Sequence, residues 1–356
     1  MRILQVIPYF CFGGAETMCE NLTYALLEQG HQVSVVSLYA ERTPISERME
    51  QAGVQITYLD KKLGLDVSMI PKLAKIIRQQ KPDVVHTHLD VIKYAVAAAK
   101  IAGVKKCVHT VHNVADKEAE GKLQKMINSF YFKLGWSVPV ALSPQVQETI
   151  VEFYGMKVRQ VPVIYNGVDL SRCIPKTNYQ AADMLKLVHI GRFNEQKNHR
   201  RLLDAFRLLV QAFPNTQLQL LGDGELMDEI RQYARDLELE NKVSFLGSQS
   251  NVYPYLHNAD VFVLPSDYEG MPMTIIEAMG TGLPIVATAV GGVPDMLSDG
   301  QSGLLTECTP EAVYQACVKL AAEETLRKDL GIRAKQDSLR FSAQYMAQQY
   351  LKEYQS

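Results

Sequence analysis

The sequence predicts an α/β protein made of two Rossmann-like domains, each a doubly wound parallel sheet. Its 356 residues exceed the length at which a single hydrophobic core usually stops growing. Short apolar strands alternate with helical patterns along the chain, as they do in proteins with parallel sheets. This rhythm breaks around Val161–Asp169, a polar stretch to Asp183 follows, and the rhythm then restarts. We therefore expect two domains of similar size that face each other across a cleft.

The first half contains six apolar, β-branched runs that predict buried strands, and helical periodicity between them. The predicted strands are Ile3–Ile7, Val33–Leu38, Val54–Leu59, Asp83–Thr87, Lys106–Val111 and Val138–Leu142. The clearest helical patterns are Ala15–Gln29, Met69–Gln80 and Lys122–Leu134. The predicted N-terminal domain is 1–168.

The second half repeats the pattern, and the predicted C-terminal domain is 169–339. Its predicted strands are Lys186–Ile190, Gln217–Leu221, Lys242–Leu246, Asp260–Leu264, Pro284–Thr288 and Gly303–Leu305. Its clearest helical patterns are Arg200–Ala212, Leu226–Leu237 and Pro310–Ala322. The last segment, Ser342–Tyr354, is helical but belongs to neither repeat.

Composition excludes several classes of protein. A net charge of −2 argues against a nucleic-acid-binding protein, although basic residues outnumber acidic ones in 1–170. The six cysteines have no C-x-x-C spacing. No apolar run approaches the roughly 20 residues that a membrane-spanning helix needs, and the first residues do not resemble a signal peptide. We expect reduced cysteines and a cytoplasmic location.

The stretch 260–293 predicts a ligand site. A buried strand at 260–264 leads into a loop, Pro272 can occupy the first turn of the following helix, and that helix runs to about Gly280. Glu269 lies just before the helix and Glu277 about two turns inside it. The free N–H groups of a first helical turn favour an anion, and a glutamate beside them can bind hydroxyl groups. A phosphorylated, polyhydroxylated ligand fits this combination.

Two further loops follow predicted strands at the edge where α/β sheets bind ligands. Gly13 and Gly14 open the first helix, and they either let the backbone approach a ligand or form a tight βα turn. They are not part of the G-x-G-x-x-G dinucleotide motif, which disfavours an NAD-dependent oxidoreductase. Arg192 and Lys197 follow the first strand of the second half, and their charges suit a diphosphate. The turn at Gly222–Glu225 is as well explained by a plain turn as by a nucleotide contact.

A metal site is the other chemistry that the sequence suggests. His86, His88, His109 and His112 cluster at two strand ends, and His86 and His88 share a face of one strand. No cysteine or carboxylate joins them at ligand spacing, and the chain has no Asp-x-Asp sequence. We expect no metal and no cofactor, and we expect most of these histidines in the core or behind the site.

The region 264–294 resembles the Glu-x7-Glu signature of the retaining family 4 glycosyltransferases, which have the GT-B fold. The resemblance rests on Glu269 and Glu277, on Ala278–Pro284 and on Gly291–Pro294. It implies that Glu269 binds hydroxyls of the donor sugar, Glu277 binds the ribose, and Arg192 and Lys197 neutralise the leaving diphosphate. It also implies a sugar contact for His112 and packing of 340–356 on the N-terminal domain. Donor contacts are implied for Gly13, Gly14, Met271, Pro272, Met273 and Thr274.

The activity that the resemblance implies is metal-independent transfer of a hexose or N-acetylhexosamine from a nucleoside diphosphate sugar, most commonly a UDP-sugar. The acceptor would be a glycan or lipid-linked saccharide of capsule, exopolysaccharide or lipopolysaccharide synthesis, bound by the N-terminal domain. Two alternatives remain at this point. One is an epimerase or hydrolase of sugar nucleotides with the same fold, and the other is a non-catalytic GT-B partner subunit.

The segment Lys122–Trp136 has two interpretations. Leu123, Met126, Ile127, Phe130 and Leu134 form a helical stripe that is most simply core. Lys122, Lys125 and Lys133 lie on a neighbouring face, and with Tyr131 and Trp136 they would also suit the inner face of an anionic membrane. The core interpretation is preferred.

Overall fold

The computed structural model describes residues 1–10, 13–119, 121–181 and 184–356. They form two compact units, 1–167 with 343–356, and 168–342. The sequence placed the corresponding boundaries at 168/169 and 339/340. Asp183, at the end of the polar stretch between the predicted domains, lies outside the described residues.

The first unit is built on a six-stranded parallel sheet in the order β3-β2-β1-β4-β5-β6. The strands are β1 (Arg2–Ile7), β2 (Gln32–Ser37), β3 (Gln55–Tyr58), β4 (Val84–His88), β5 (Lys106–Val111) and β6 (Val138–Ala141). The helices between them are α1 (Gly14–Glu28), α2 (Pro44–Gln51), α3 (Met69–Gln80), α4 (Ile92–Ile101), α5 (Ala115–Glu118), α6 (Lys122–Lys133) and α7 (Pro144–Tyr154). The order reverses between β1 and β4, which makes their carboxyl ends the topological switch point of this sheet.

The second unit has the same topology, with a six-stranded parallel sheet in the order β12-β11-β10-β7-β8-β9. Its strands are β7 (Leu185–Ile190), β8 (Thr216–Leu221), β9 (Val243–Phe245), β10 (Val261–Leu264), β11 (Ile285–Thr288) and β12 (Leu304–Thr306). Its helices are α8 (His199–Ala212), α9 (Met227–Asp236), α10 (Tyr253–Asn258), α11 (Met273–Thr281), α12 (Val293–Met296), α13 (Pro310–Ala322) and α14 (Glu324–Asp337). The switch point lies between β7 and β10.

The final helix, α15 (Ala343–Gln355), belongs to the first unit. Tyr350 and Tyr354 are buried there, and their hydroxyl groups bond to Thr110 and His86 at 2.6 and 2.7 Å. Asn21 in α1 donates to the carbonyl of Gly167 at 3.1 Å. The C-terminal helix thus packs on the N-terminal unit.

Each predicted strand is present, with ends that differ by at most one residue. The strands form because runs of apolar, β-branched residues can be buried on both faces only in a parallel sheet covered by helices. Hydrophobic clusters of strand and helix residues lie in both units, as this arrangement requires.

The core interpretation of the α6 stripe is wrong. Leu123, Met126, Phe130 and Leu134 are 51 to 63% exposed, whereas Ile127 packs against the core. The buried face of α6 instead carries Gln124, Asn128, Tyr131 and Phe132. Gln124 donates to Asn128, and Asn128 donates to the hydroxyl of Tyr154, so the polar groups of this inner face are satisfied. An apolar face with exposed lysines beside it is thus left uncovered in this unit.

Candidate functional site

The loop after β7 presents Lys197 at the switch point of the second sheet. Lys197 ends a short 3-10 turn whose N-cap, Asn194, accepts a hydrogen bond from the Lys197 N–H at 3.2 Å. Asn198 then adopts a left-handed conformation (φ 45°) and caps α8 through the N–H of Arg201. These two caps fix the backbone on both sides of Lys197, so its side chain leaves a rigid loop.

The loop after β10 presents Glu269, which is almost fully buried. Ser266 donates to Glu269 Oε1 at 2.6 Å, and the Ser266 carbonyl accepts from Thr288 at 2.6 Å. Gly291 has φ +50°, and a Cβ atom there would lie 1.8 Å from the carbonyl oxygen of Glu269. Only glycine fits this approach, which gives the Gly291–Pro294 motif a structural reason.

The two loops meet through a charged hydrogen bond. Lys197 Nζ lies 2.5 Å from Glu269 Oε1, with side chains only 15% and 5% exposed. Gln196 donates to Glu269 Oε2 at 3.4 Å and to the Tyr268 carbonyl at 2.9 Å. A backbone bond from Asp267 N to Gln196 O at 2.9 Å joins the loops again. The structure therefore brings two of the predicted site residues, Lys197 and Glu269, into one buried cluster.

Arg192 is placed differently from Lys197. Its guanidinium lies 3.2 Å from the carboxylate of Glu225, and both side chains are more than half exposed. No contact joins it to Lys197 or Glu269 within the described ranges. Gly224 (φ +158°) lies so close to the Phe193 carbonyl that a Cβ atom would be 2.5 Å from its oxygen. The Gly222–Glu225 turn thus packs on the Arg192 loop, as a structural turn would.

The helix of the glutamate motif begins one residue later than its sequence predicts. Pro272 is the N-cap of α11 in an extended conformation, and Met273 is the first helical residue. Met271, Pro272 and Met273 are buried. Thr274 has a buried hydroxyl oxygen that makes no hydrogen bond to any described residue. A polar atom without a partner at the start of a helix is one that a ligand can satisfy.

Glu277 lies on the second turn of α11 and is 7% exposed. Its backbone carbonyl accepts from Thr281, but its carboxylate makes no hydrogen bond or ion pair with the described residues. Burial raises its pKa from 4.5 to about 7, and the charge of Arg172 opposes that shift. The helix therefore holds an acceptor group that is costly to ionise until donors arrive.

In the first unit, Gly13 is the extended N-cap of α1 and Gly14 its first residue, while Cys11 and Phe12 lie outside the described residues. His112 directly follows β5, and its backbone N–H bonds to the carboxylate of Glu118. Its Nε2 atom lies 3.1 Å from His88 Nδ1. Burial lowers the pKa of His112 to about 4, and nearby His109 lowers it further while Glu118 opposes the change.

The other clustered histidines are in the core, as expected. His86, His88 and His109 are at most 1% exposed. Each uses its ring nitrogens within the protein, for example His86 with Tyr354 and Thr110. In the described part of the chain, no group of three or more His, Cys, Asp or Glu side chains is arranged to hold a metal ion.

Sequence reasoning missed Gln196, Ser266 and Arg172. Gln196 and Ser266 hold Glu269, and Arg172 is the charge that acts on Glu277. Gln196 and Ser266 each stand within three residues of a predicted site residue, which is the only signal that the sequence offers. Arg172 lies more than a hundred positions from Glu277, and no local pattern indicates that pairing.

The two loops and α11 can bind an anion with attached hydroxyl groups. Lys197 and the first-turn N–H groups offer positive charge, while Glu269 and Glu277 are hydrogen-bond acceptors. This arrangement suits binding and charge stabilisation of a leaving group.

Two family models match the chain, one for each unit. Glycosyltransferase Family 4 matches residues 12–172, and Glycosyl transferases group 1 matches residues 176–337. With the two Rossmann-like units, these matches define a glycosyltransferase of the GT-B fold. The chain belongs to the family 4 glycosyltransferases.

Relatives and solved structures agree with this assignment. The chain is 29% identical to the UDP-Gal:alpha-D-GlcNAc-diphosphoundecaprenol alpha-1,3-galactosyltransferase of Escherichia coli, over 73% of this chain and 72% of that protein. It is 28% identical to a Campylobacter jejuni alpha-1,4-N-acetyl-D-galactosaminyltransferase that acts on an undecaprenol-linked saccharide, over 99% and 98% of the two chains. Anabaena Alr3699/HepE in complex with UDP and glucose has the same fold, with a TM-score of 0.86, 21% identity and 99% coverage of both chains.

Proposed function

We propose that the protein transfers a hexose or N-acetylhexosamine from a UDP-sugar to a glycan or lipid-linked saccharide, with retention at the anomeric carbon. The observation that carries this proposal is the Glu277 carboxylate, which is buried without a hydrogen-bond partner among the described residues. Two neighbouring hydroxyl groups of a ribose would supply the donors that it lacks. The first turn of α11, with the unsatisfied Thr274 hydroxyl, then receives the phosphates.

The proposed chemistry is departure of a nucleoside diphosphate from an oxocarbenium-like centre. Lys197 and the α11 N-terminus stabilise the charge that develops on the leaving group. Arg192 lies on the same loop and adds a second charge when it leaves exposed Glu225. Glu269 and His112 hold hydroxyls of the transferred sugar. The acceptor hydroxyl attacks on the face from which the diphosphate leaves, and its proton passes to the departing diphosphate.

Uracil as the base and a lipid-linked acceptor are supported by the relatives. The E. coli protein is named for a UDP-Gal donor and a diphosphoundecaprenol acceptor, and the C. jejuni protein for an undecaprenol-linked acceptor. The Anabaena structure contains UDP and glucose. We extend these ligand classes to this chain as part of the proposal.

A panel of nucleotides tests the donor. UDP and UDP-sugars are expected to raise the temperature of unfolding, because a ligand at a hundred times its Kd stabilises the folded state by about 2.7 kcal/mol. GDP, ADP and CMP serve as controls for non-specific binding of phosphate. Stabilisation by GDP or ADP alone would show that the proposed base is wrong. If none of the nucleotides stabilises the protein, the proposed donor site is wrong.

Catalysis is expected to need no divalent metal. Lys197 and the helix N-terminus supply the positive charge that a cation supplies in metal-dependent transferases. Transfer measured in excess EDTA should proceed at close to its normal rate. A rate that collapses in EDTA and returns with Mn²⁺ or Mg²⁺ would contradict this part of the proposal.

We place the protein at the cytoplasmic face of a membrane, where a lipid-linked acceptor lies. Within the described residues, no helix has both the length and the apolar character to cross a bilayer. The exposed face of α6 instead offers Leu123, Met126, Phe130 and Leu134 for insertion between headgroups. Lys122, Lys125 and Lys133 are exposed on the same helix and would contact anionic lipids.

The double substitution Met126→Ser and Phe130→Ser is expected to weaken binding to vesicles that contain phosphatidylglycerol by about tenfold or more, since each buried CH₂ contributes about 0.8 kcal/mol. Co-sedimentation with the vesicles measures this. Leu339→Ser is the matched control, because Leu339 is 69% exposed but lies in the second unit. Equal loss in the control, or no loss in the double variant, would exclude α6 as the membrane contact.

A further inference from the structure

A row of buried polar side chains crosses the first unit from α1 to His112. The Thr23 hydroxyl lies 2.8 Å from the Cys19 carbonyl and 2.6 Å from Gln5 Nε2. Gln5 Oε1 lies 2.9 Å from His88 Nε2, and His88 Nδ1 lies 3.1 Å from His112 Nε2. Thr23, Gln5 and His88 have essentially no exposed surface, so water does not compete for these bonds.

The carbonyl of Cys19 sets the direction of the first bonds. It can only accept, so Thr23 uses its single hydroxyl proton to donate to it, and the Thr23 oxygen accepts from the amide of Gln5. The reverse amide orientation would leave the 2.8 Å contact of Thr23 with Cys19 without a proton. It would also place an amide oxygen 3.4 Å from the Cys19 carbonyl oxygen, where the Gln5 nitrogen now donates. The oxygen of Gln5 therefore faces His88.

The same reasoning fixes both imidazoles. An amide oxygen has no proton, so His88 Nε2 donates to Gln5 and His88 Nδ1 carries a lone pair. His112 Nε2 must then hold the proton of the bond to His88 Nδ1. Burial lowers the pKa of His88 well below 6.5 and that of His112 to about 4, which keeps both rings neutral with one proton each. The remaining nitrogen, His112 Nδ1, is an acceptor that makes no hydrogen bond to any described residue.

We propose that Gln5 and His88 are positioning residues that hold His112 as the Nε2–H tautomer, so that its Nδ1 atom accepts a hydrogen bond from one hydroxyl group of the transferred sugar. This rests on the proposed contact of His112 with that sugar. A hydroxyl at that position is then required, since a hydrogen or fluorine atom there cannot donate. The row thus selects among donor sugars although three of its members, Thr23, Gln5 and His88, touch no ligand.

The tautomer itself can be measured without any activity. In the wild-type protein, ¹⁵N NMR of the histidine rings should show His112 with the proton on Nε2 and a bare Nδ1. Gln5→Met removes the acceptor of His88 and should convert His112 to a mixture of tautomers. A wild-type His112 with its proton on Nδ1 would overturn the proposal, even if no variant folds.

The matched control is Tyr354→Phe. It removes a hydroxyl that bonds to His86 at 2.7 Å, and His86 is as deeply buried as His88 and lies two residues away on β4. This variant disturbs a histidine outside the row, so the His112 spectrum should not change. If the His112 spectrum changes as much as it does in Gln5→Met, His112 responds to any loss of packing, and the proposed role of the row is wrong.

Donor analogues test the role in selection. Each hydroxyl of the donor sugar is replaced in turn by fluorine, and kcat/KM is compared for the wild type, Gln5→Met and Tyr354→Phe. One analogue should react about ten- to a hundredfold more slowly with the wild type and Tyr354→Phe, and Gln5→Met should lose most of this discrimination. Unchanged discrimination in Gln5→Met would overturn the selective role. If the protein turns over no UDP-sugar but His112 has the expected tautomer, the proposed function is wrong, whereas the role of the row in fixing that tautomer is upheld.

Discussion

Lys197→Met is expected to lower kcat for sugar transfer by about a hundred- to a thousandfold, with a much smaller change in KM. The substitution keeps the aliphatic stem but removes the charge proposed to stabilise the departing diphosphate. In the wild type, the Lys197 ammonium is held 2.5 Å from Glu269 and is largely buried, so its charge is little screened by water. Steady-state kinetics on the folded variant measures both constants.

Stability must be measured alongside, because this substitution breaks a buried charge pair. Glu269 keeps Ser266 and Gln196 as donors but loses its only cation among the described residues, which can cost about 3 kcal/mol or more. Arg200→Ala is the matched control, since its exposed pair with Glu229 lies outside the site. Arg192→Ala is expected to lower kcat by about tenfold, which is less than the loss in Lys197→Met and more than any loss in Arg200→Ala. A folded Lys197 variant with wild-type kcat would remove Lys197 from the mechanism.

Glu277→Gln is expected to weaken UDP binding by about ten- to a hundredfold, because an amide cannot accept from both ribose hydroxyls with the strength of a carboxylate. The pKa of about 7 adds a dependence on pH. Below that value Glu277 is protonated in the free protein, so wild-type affinity should rise as the pH increases towards 8. UDP itself titrates in this range, so the difference between wild type and variant in calorimetry is the relevant quantity. If the affinity for UDP depends on pH in the same way in both proteins, Glu277 is not the group that binds the ribose.

Stability should respond to Glu277 in the opposite sense. Its pKa is higher in the folded state, about 7, than the ordinary 4.5, so its contribution to stability is present at low pH and is lost as the pH rises through 7. Glu277→Gln should therefore gain stability relative to the wild type between pH 5 and pH 8, by about 2 °C or more in Tm. Thermal unfolding at the two pH values without ligand measures this. If the difference in Tm between Glu277→Gln and the wild type does not change with pH, ionisation of Glu277 does not destabilise the folded protein and the prediction is wrong.

The fold was predictable because its signals are local. Val261–Leu264 and Ile285–Thr288 are short apolar runs bounded by turn residues, and only a covered parallel sheet buries such runs on both faces. The α6 face was not predictable in the same way. An apolar stripe with helical spacing has the same sequence whether it faces a core or a membrane, and here Tyr131 and Phe132 occupy the buried side.

In the candidate site too, residues with local sequence signals were predictable and contacts between distant segments were not. Glu269 and Glu277 were predictable from their spacing and from the strand and helix around them. The pairing of Lys197 with Glu269 was not, because it depends on two loops that meet at a sheet switch point 72 residues apart in sequence. The row from Thr23 to His112 depends on the pairing of β1 with β4, in which Gln5 lies opposite His86. Register between distant strands cannot be read from either strand alone.

The anomeric configuration of the product tests the central claim most directly. The protein is incubated with a UDP-α-sugar and a lipid-linked saccharide acceptor, and the new linkage is assigned by ¹H NMR. The proposal predicts an α-linked product and free UDP. A β-linked product would contradict retention, and an epimerised or hydrolysed UDP-sugar without transfer would contradict the proposed function.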